Sequence, residues 1–505
     1  MPNRSKRFTQ SLLTGYGAIG VNILFSLASV PLALSYLSKE EFGLWALALQ
    51  ITGYLALIDM GMTGAVGRFL ADHKDDVNSE AYTSHLATGI LVFLVQSLLI
   101  VFMGMIFAYF APSLFLISPE LSNEFTFLLQ ILSLIAGISI ASRCLAAPLW
   151  GFQRMDVINL AATAGLIVQF LCMWLGFHLG YGVRSFVLAG AAPTLLAIVA
   201  YAVVCSKNGY YPRRKGWFSP RWVQFKEMFR YGRDGMLLSI GVQLVNATQI
   251  AIVSRILGLD AAATFSIATK LYNMSIQLLL KVVESAAPGL AEMFVRGQTV
   301  QFTRRYWDMI LITIATSSAG AVAMAAGNSA FIAIWTGGEV KWSIHGDLLL
   351  GLMVLARSLS GCMISFFGIT KNLKPVRIVY FIEGIIFVPT AFWAAKSFGV
   401  EGVMAASLIV HLMVAFAASA RAASKMLGSM RRIILPMALI SFGIAVGSLV
   451  AWATSSLGLS PISRLAWAIV PLSITLAIAW KTILPKEIQS RFNSQLSTWM
   501  MKVRS

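Results

Sequence analysis

The sequence predicts an all-α, polytopic membrane protein of about 14 transmembrane helices. It predicts two pseudo-symmetric six-helix lobes followed by two C-terminal helices. Three observations carry this. Only 12% of the 505 residues are charged and 58% are apolar, whereas soluble domains carry about 25% charged residues. Apolar runs long enough to cross a hydrocarbon core of about 30 Å recur along the whole chain. Several short sequences recur at a near-constant offset, as an internal repeat would require.

The runs lie at 12–37, 42–67, 86–111, 125–149, 157–180, 185–205, 234–256, 260–287, 307–333, 347–369, 378–396, 400–420, 433–455 and 463–481. Backbone polar groups must find partners within the chain inside lipid, so these runs read as helices. The first run is too long for a signal-peptide core and no small-residue cleavage site follows it, so it reads as a retained span.

The net charge of +18 invites a nucleic-acid reading, but the basic residues sit in short segments between apolar runs. That distribution belongs to membrane topology and to anionic lipid headgroups as partners, not to nucleic acid. With an even number of spans, the segments on the side of the two termini hold 28 of the 39 Lys and Arg. The bias predicts both termini in the cytoplasm. Cys144, Cys172, Cys205 and Cys362 lie in or at the ends of apolar runs, and the five histidines show no metal-ligand spacing. No disulfide framework, metal or cofactor is expected.

The expected organisation is an N-terminal lobe (1–205), a cytoplasmic amphipathic linker (206–233), a C-terminal lobe (234–420) and two additional helices with an amphipathic tail (421–505). In the linker, Ser219 and Pro220 resemble an N-cap and a first helical position. Trp222, Phe225 and Phe229 then recur at helical spacing among Arg213, Arg214, Lys215, Arg221, Lys226 and Arg230. In the tail, Ile488, Phe492, Leu496 and Trp499 share one face near Lys486, Arg491 and Lys502. Both segments read as interfacial anchors, with a partner or lipid contact as the functional alternative.

The halves resemble each other. Gly151-Phe152-Gln153-Arg154 and Gly368-Ile369-Thr370-Lys371 end the fourth and tenth spans, and Gly182-Val183-Arg184 and Gly399-Val400-Glu401 precede the sixth and twelfth, both pairs at an offset of 217. Leu37-Ser38-Lys39-Glu40 and Leu257-Gly258-Leu259-Asp260 repeat at 220. A six-span repeat preserves orientation, so the halves relate by an axis along the membrane normal.

A charge at mid-membrane costs about 2.5–3.5 kcal/mol on insertion scales, so intramembrane charges are the main functional candidates. The bases are Arg143, Lys270, Lys281 and Arg357, and the acids are Asp59, Glu284 and Glu383. Arg357 and Lys270 lie far from either interface and suit a cavity. Arg143 and Lys281 lie near a span end, where they could instead snorkel. Lys270, Asn273, Gln277, Lys281 and Glu284 share a helical stripe, and Lys281 could pair with Glu284. Ser239, Gln243 and Asn246 form a second stripe. Asn22 lies in the first span. Thr52, Asp59 and Thr63 share a face of the second, with Arg68 marking its end. Asp59 could titrate in ion coupling or bond to neighbouring helices. A basic lumen would suit pyrophosphate. No Walker-type phosphate loop occurs, and no catalytic constellation is recognisable.

Three segments resemble polysaccharide-transport flippases of the multidrug/oligosaccharidyl-lipid/polysaccharide exporter superfamily. They are Gly15-Tyr16-Gly17 through Pro31, Tyr36 through Trp45, and Tyr54 through Met62. Gly151 through Asp156 adds to the likeness. The resemblance implies two six-helix lobes plus two helices, alternating access, and a bacterial inner membrane. It implies an undecaprenyl-pyrophosphate-linked repeat unit as substrate, with Arg143, Lys270, Lys281 and Arg357 as candidate lumen cations. It is compatible with a polysaccharide polymerase or chain-length regulator as partner and with a functional monomer. The rivals are an organic-cation antiporter of the same superfamily, which the basic excess disfavours, a lipid II flippase, and an O-antigen polymerase or ligase. The short outward connections argue against the last, so no enzyme is expected.

Overall fold

Helices account for nearly all of the computed structural model, which describes residues 4–213, 219–369, 374–428, 431–487, 489–490 and 494. The chain divides into two compact units, Met1–Ala263 and Thr264–Ser505.

In the first unit the helices are α1 (Arg4–Leu34), α2 (Lys39–Leu55), α3 (Met62–Asp72), α4 (Glu80–Leu114), α5 (Pro119–Gly151), α6 (Met155–His178), α7 (Arg184–Lys207), α8 (Trp222–Asn246) and α9 (Thr248–Leu257). A further helix, α10 (Leu259–Ala268), begins there and ends in the second unit. The starts follow capping chemistry. Ser38 Oγ accepts from the Glu41 N–H at 3.2 Å, while the Glu41 carboxylate accepts from the Ser38 N–H at 2.8 Å. This capping box satisfies donors that α2 would otherwise leave open. Ser79 caps α4 in the same sense, accepting from the Tyr82 N–H. Met62, Val66, Leu70, Tyr82, Phe93, Ile140 and Met228 form a core between α3, α4, α5 and α8. Gly43 lies so close to α10 that a Cβ would stand 2.1 Å from the Leu259 carbonyl oxygen.

The second unit holds α11 (Lys270–Val295), α12 (Thr299–Trp335), α13 (Ile344–Ile369), α14 (Lys374–His411), α15 (Ala417–Leu427), α16 (Arg431–Ser456) and α17 (Pro461–Ile478). A π-helical turn, Leu412–Phe416, joins α14 to α15. The most buried element is α12, which packs against α11, α13, α16 and α17. Elsewhere large apolar side chains stay exposed, including Leu98, Phe102 and Phe110 of α4 and Leu449 and Trp452 of α16. Exposed apolar surface on this scale suits hydrocarbon and would aggregate in water.

Among the described residues, twelve helical stretches are long and apolar enough to cross a membrane, against fourteen expected. Two differences account for this. The stretch Pro375–Lys425 takes in the expected spans 378–396 and 400–420. At Gly399 (φ 64°, ψ −145°) the helical path breaks, and a Cβ on Gly402 would lie 2.2 Å from the Ala394 carbonyl oxygen. The expected span 260–287 is divided between α10 and the more polar α11, and neither is among the twelve.

Two local expectations are corrected. The second span does not continue to 67. It tightens into a 3-10 turn at Ala56–Asp59, and Met60 (φ 50°) and Gly61 (φ 74°) enter the left-handed region before α3 starts. Arg221, not Ser219, occupies the N-cap of α8 and donates its N–H to Thr88 Oγ1 at 3.0 Å. From there α8 runs unbroken into the expected seventh span, so Trp222, Phe225 and Phe229 share a helix with Ser239, Gln243 and Asn246. Arg214, Lys215, Thr370, Lys371, Ile488, Arg491, Phe492, Leu496, Trp499 and Lys502 lie outside the described residues.

Candidate functional site

The break in the second span turns two isolated charges into a pair. Asp59 ends the 3-10 turn, and its Oδ1 accepts from Thr63 Oγ1 at 2.6 Å and from the Thr63 N–H at 3.3 Å. It thus satisfies a donor in the first turn of α3, which the left-handed Met60 and Gly61 leave open. From α5, Arg143 Nη1 reaches the same Oδ1 at 2.9 Å and Thr63 Oγ1 at 2.8 Å. Gln96 of α4 donates to the Asp59 carbonyl at 3.0 Å. The side chains of Asp59 and Arg143 keep 18% and 32% of their exposure, so the pair is partly wet. Arg143 is a paired cation, and Asp59 is already bonded to three helices' worth of neighbours.

The other first-unit candidates are scattered. Asn22 is half-buried in α1. Thr52 bonds back to the Ala48 carbonyl at 2.8 Å. Gln243 lies over Gly53, where a Cβ would come within 2.8 Å of its Nε2. Asn246 and Ser239 are exposed on α8. Arg68 pairs with Asp72 at 2.9 Å. An apolar groove of about 400 Å³ lies beside α8, lined by Leu91, Val95, Leu99, Trp222, Phe225 and Phe229. Its lining is unsuited to a sugar headgroup.

In the second unit the α11 stripe is present on one helix. Asn273 and Gln277 are exposed. Lys281 Nζ and Glu284 Oε2 meet at 2.9 Å in an exposed pair. Lys270, half-buried at the first turn of α11, has no ion-pair partner among the described residues. Of the four candidate cations it alone keeps its charge uncommitted.

Arg357 is committed elsewhere. Its Nη2 lies 3.5 Å from Glu383 Oε1, and that same oxygen is 2.9 Å from His411 Nδ1. The side chains of Glu383 and His411 are each 1% exposed and that of Arg357 15%. Tyr272 of α11 and Tyr380 of α14 face the cluster. His411 is the residue the sequence reading missed. It stands alone in an apolar run, and its partner is reached only across the Gly399 break.

Three of the four segments that carried the family resemblance serve as joints. The Ser38–Glu41 pair caps α2, and Asp59–Gly61 breaks the second span. In Gly151 through Asp156, Gln153 takes a left-handed φ of 55°, and Arg154 grips Asp156 with Nε and Nη2, both at 3.0 Å. Phe152 stacks on Tyr210 with centroids 4.0 Å apart. The hydrogen bonds to Asp156 raise the pKa of Arg154 further above its ordinary value.

Fold and charges together define an all-helical, multi-pass membrane protein. Residues 11–294 match the polysaccharide biosynthesis protein family, and the chain belongs to that family. A Shigella flexneri protein whose given name proposes it as an O-antigen transporter is 23% identical over 257 residues, covering 50% of this chain and 59% of its own. The succinoglycan biosynthesis transport protein ExoT of Rhizobium meliloti is 25% identical over 278 residues, covering 54% and 50%. The chain thus spans about half the length of these relatives. The inward closed structure of the lipid II flippase MurJ matches with a TM-score of 0.66 at 14% identity, over 94% of this chain and 99% of its own. An inward-facing multidrug resistance MATE transporter of the MOP superfamily matches with a TM-score of 0.66 at 16% identity, over 80% and 94%. These two likenesses are of fold.

Proposed function

We propose that the protein translocates an undecaprenyl-pyrophosphate-linked oligosaccharide repeat unit from the cytoplasmic to the periplasmic leaflet by alternating access, for polysaccharide biosynthesis. Family membership supports the pathway. The observation that carries the substrate class is Lys270, an uncommitted cation heading a polar face on α11. A pyrophosphate needs a cationic partner, and the sugar needs donors and acceptors of the kind Asn273 and Gln277 supply. The polyprenyl tail stays in lipid. No covalent bond is made or broken.

The proposal includes fourteen spans. Pro375–Lys425 counts twice and α10–α11 supplies one more. It includes two six-span lobes, cytoplasmic termini in a bacterial inner membrane, anionic lipids against the basic segments, and action as a monomer. Arg143 and Arg357 are reassigned within it as paired charges that hold neighbouring helices in register, and Lys281 as half of an exposed pair within α11.

The test is flipping of a fluorescent undecaprenyl-pyrophosphate oligosaccharide in proteoliposomes. Flipping by the wild type that Lys270→Ala abolishes supports the reading. Export of organic cations with no flipping, with or without a proton or sodium gradient, overturns it.

A further inference from the structure

Glu383 and His411 are 28 residues apart in sequence. On one straight helix they would stand about 42 Å apart. Their 2.9 Å contact therefore fixes Gly399 as a tight reversal, with the two arms of α14 lying side by side. The contact is the polar clasp between those arms, and it lies where the second arm passes into the π-helical turn Leu412–Phe416. Turns of that kind concentrate at functional positions.

The clasp is under-bonded for its depth. Glu383 Oε2, His411 Nε2, and Arg357 Nε and Nη2 are buried without a hydrogen bond. Buried polar atoms are rarely left in that state, and each that is needs a reason. The titratable or charged groups that face Glu383 are Arg357 from α13, His411 from the second arm, Tyr272 from α11 and Tyr380 from its own arm. The imidazole faces the Glu383 carboxylate, the Ala356 carbonyl and the Arg357 cation.

We infer that Glu383 and His411 form a single proton-binding site whose occupancy controls how tightly the two arms of α14 are clasped. With Arg357 cationic, Glu383 anionic and His411 neutral, the buried site carries no net charge. Taking one proton from solution, onto the imidazole or onto the carboxylate, raises the net charge by one. No acid among those neighbours is left to compensate it. A buried uncompensated charge is costly. The arms respond by admitting water or by separating at the π turn. A proton on both ring nitrogens also gives Nε2 a donor to place on the Ala356 carbonyl, which a small shift of the arm would allow. This site would supply the proton step of the transport cycle proposed above, and it rests on that reading only for its purpose.

The test needs no transport substrate. Protein labelled with nitrogen-15 histidine is placed in nanodiscs, and the ring nitrogens are followed between about pH 8 and about pH 5. The His411 signals are identified by their loss in His411→Gln. In parallel, amide exchange of residues 400–416 is measured and corrected for the intrinsic effect of pH. The expected result is a titration of the His411 ring, accompanied by a several-fold loss of protection in 400–416. Both should move or vanish in Glu383→Gln, which keeps the side-chain volume. A His411 ring that stays in one state while exposed histidines titrate overturns the inference, using wild-type protein alone. So does a titration that Glu383→Gln leaves unchanged. Failure of the flipping assay leaves both readouts intact, so the two readings fail separately.

Discussion

Arg143 Nη1 sits 2.9 Å from Asp59 Oδ1, and this contact converts a helix break into a joint. Asp59 serves α3 through Thr63 and α5 through Arg143, with Gln96 of α4 on its carbonyl. Side chains that share partners couple, typically by about 0.5–3 kcal/mol. Asp59→Asn and Arg143→Gln should each lower thermal stability in detergent, and the double variant should lose less than the sum. A double-mutant cycle on the unfolding midpoint measures this. Strict additivity would show that the pair is incidental.

Lys270 differs from the other intramembrane bases in having no partner to abandon. Lys270→Ala should therefore leave thermal stability nearly unchanged while reducing flipping by roughly tenfold or more, about 1.4 kcal/mol or more of lost interaction. Lys270→Arg should retain most activity, and Lys270→Glu should have none. Initial flipping rates beside melting curves separate the two effects. A large stability loss in Lys270→Ala would move this residue into the structural class.

Arg357 should behave in the opposite way. Removing one member of a buried pair strands the other, typically at about 3–5 kcal/mol. Arg357→Ala should unfold or misassemble unless Glu383→Gln accompanies it, and the double variant should regain much of the lost stability. Expression yield and melting in detergent report this directly. An Arg357→Ala protein of wild-type stability would mean that Glu383 is not dependent on it.

The contrast between these residues shows what the sequence could and could not convey. The spans were legible because lipid imposes a length and a composition on each one. Asp59, Arg143, Lys270 and Arg357 were visible as charges in apolar runs. Which of them were already paired was invisible, since pairing depends on helices distant in sequence. The break after Asp59 had only a weak local signal in Gly61, a residue that enters the left-handed region without steric cost. His411 had none. A single histidine in an apolar run acquires meaning only when Gly399 folds Glu383 onto it.

Ser38 and Glu41 offer a test that is independent of the charges in the membrane. Their reciprocal bonds close the first turn of α2. Ser38→Ala should cost about 0.5–2 kcal/mol, as loss of an N-cap usually does. Glu41→Gln should cost less, because the amide oxygen can still accept from the Ser38 N–H. Melting in detergent would resolve the order. A larger loss in Glu41→Gln than in Ser38→Ala would indicate that charge at the helix start, and not the reciprocal geometry, provides the stabilisation.

Gly402 tests the hairpin itself. A Cβ there would fall 2.2 Å from the Ala394 carbonyl oxygen and 2.9 Å from the Phe398 Cβ. Backbone atoms cannot yield as a flexible side chain can, so Gly402→Ala must push the arms of α14 apart near the turn. Glu383 and His411 lie at the far end of those arms, where a small change of angle is amplified. The variant should therefore lose amide protection over 400–416 even at high pH, with Glu383→Gln adding little further loss. Exchange measured on the two single variants and the double variant decides it. Wild-type protection in Gly402→Ala would mean that the turn relaxes locally, and the clasp would then be set by side-chain bonds and not by the backbone.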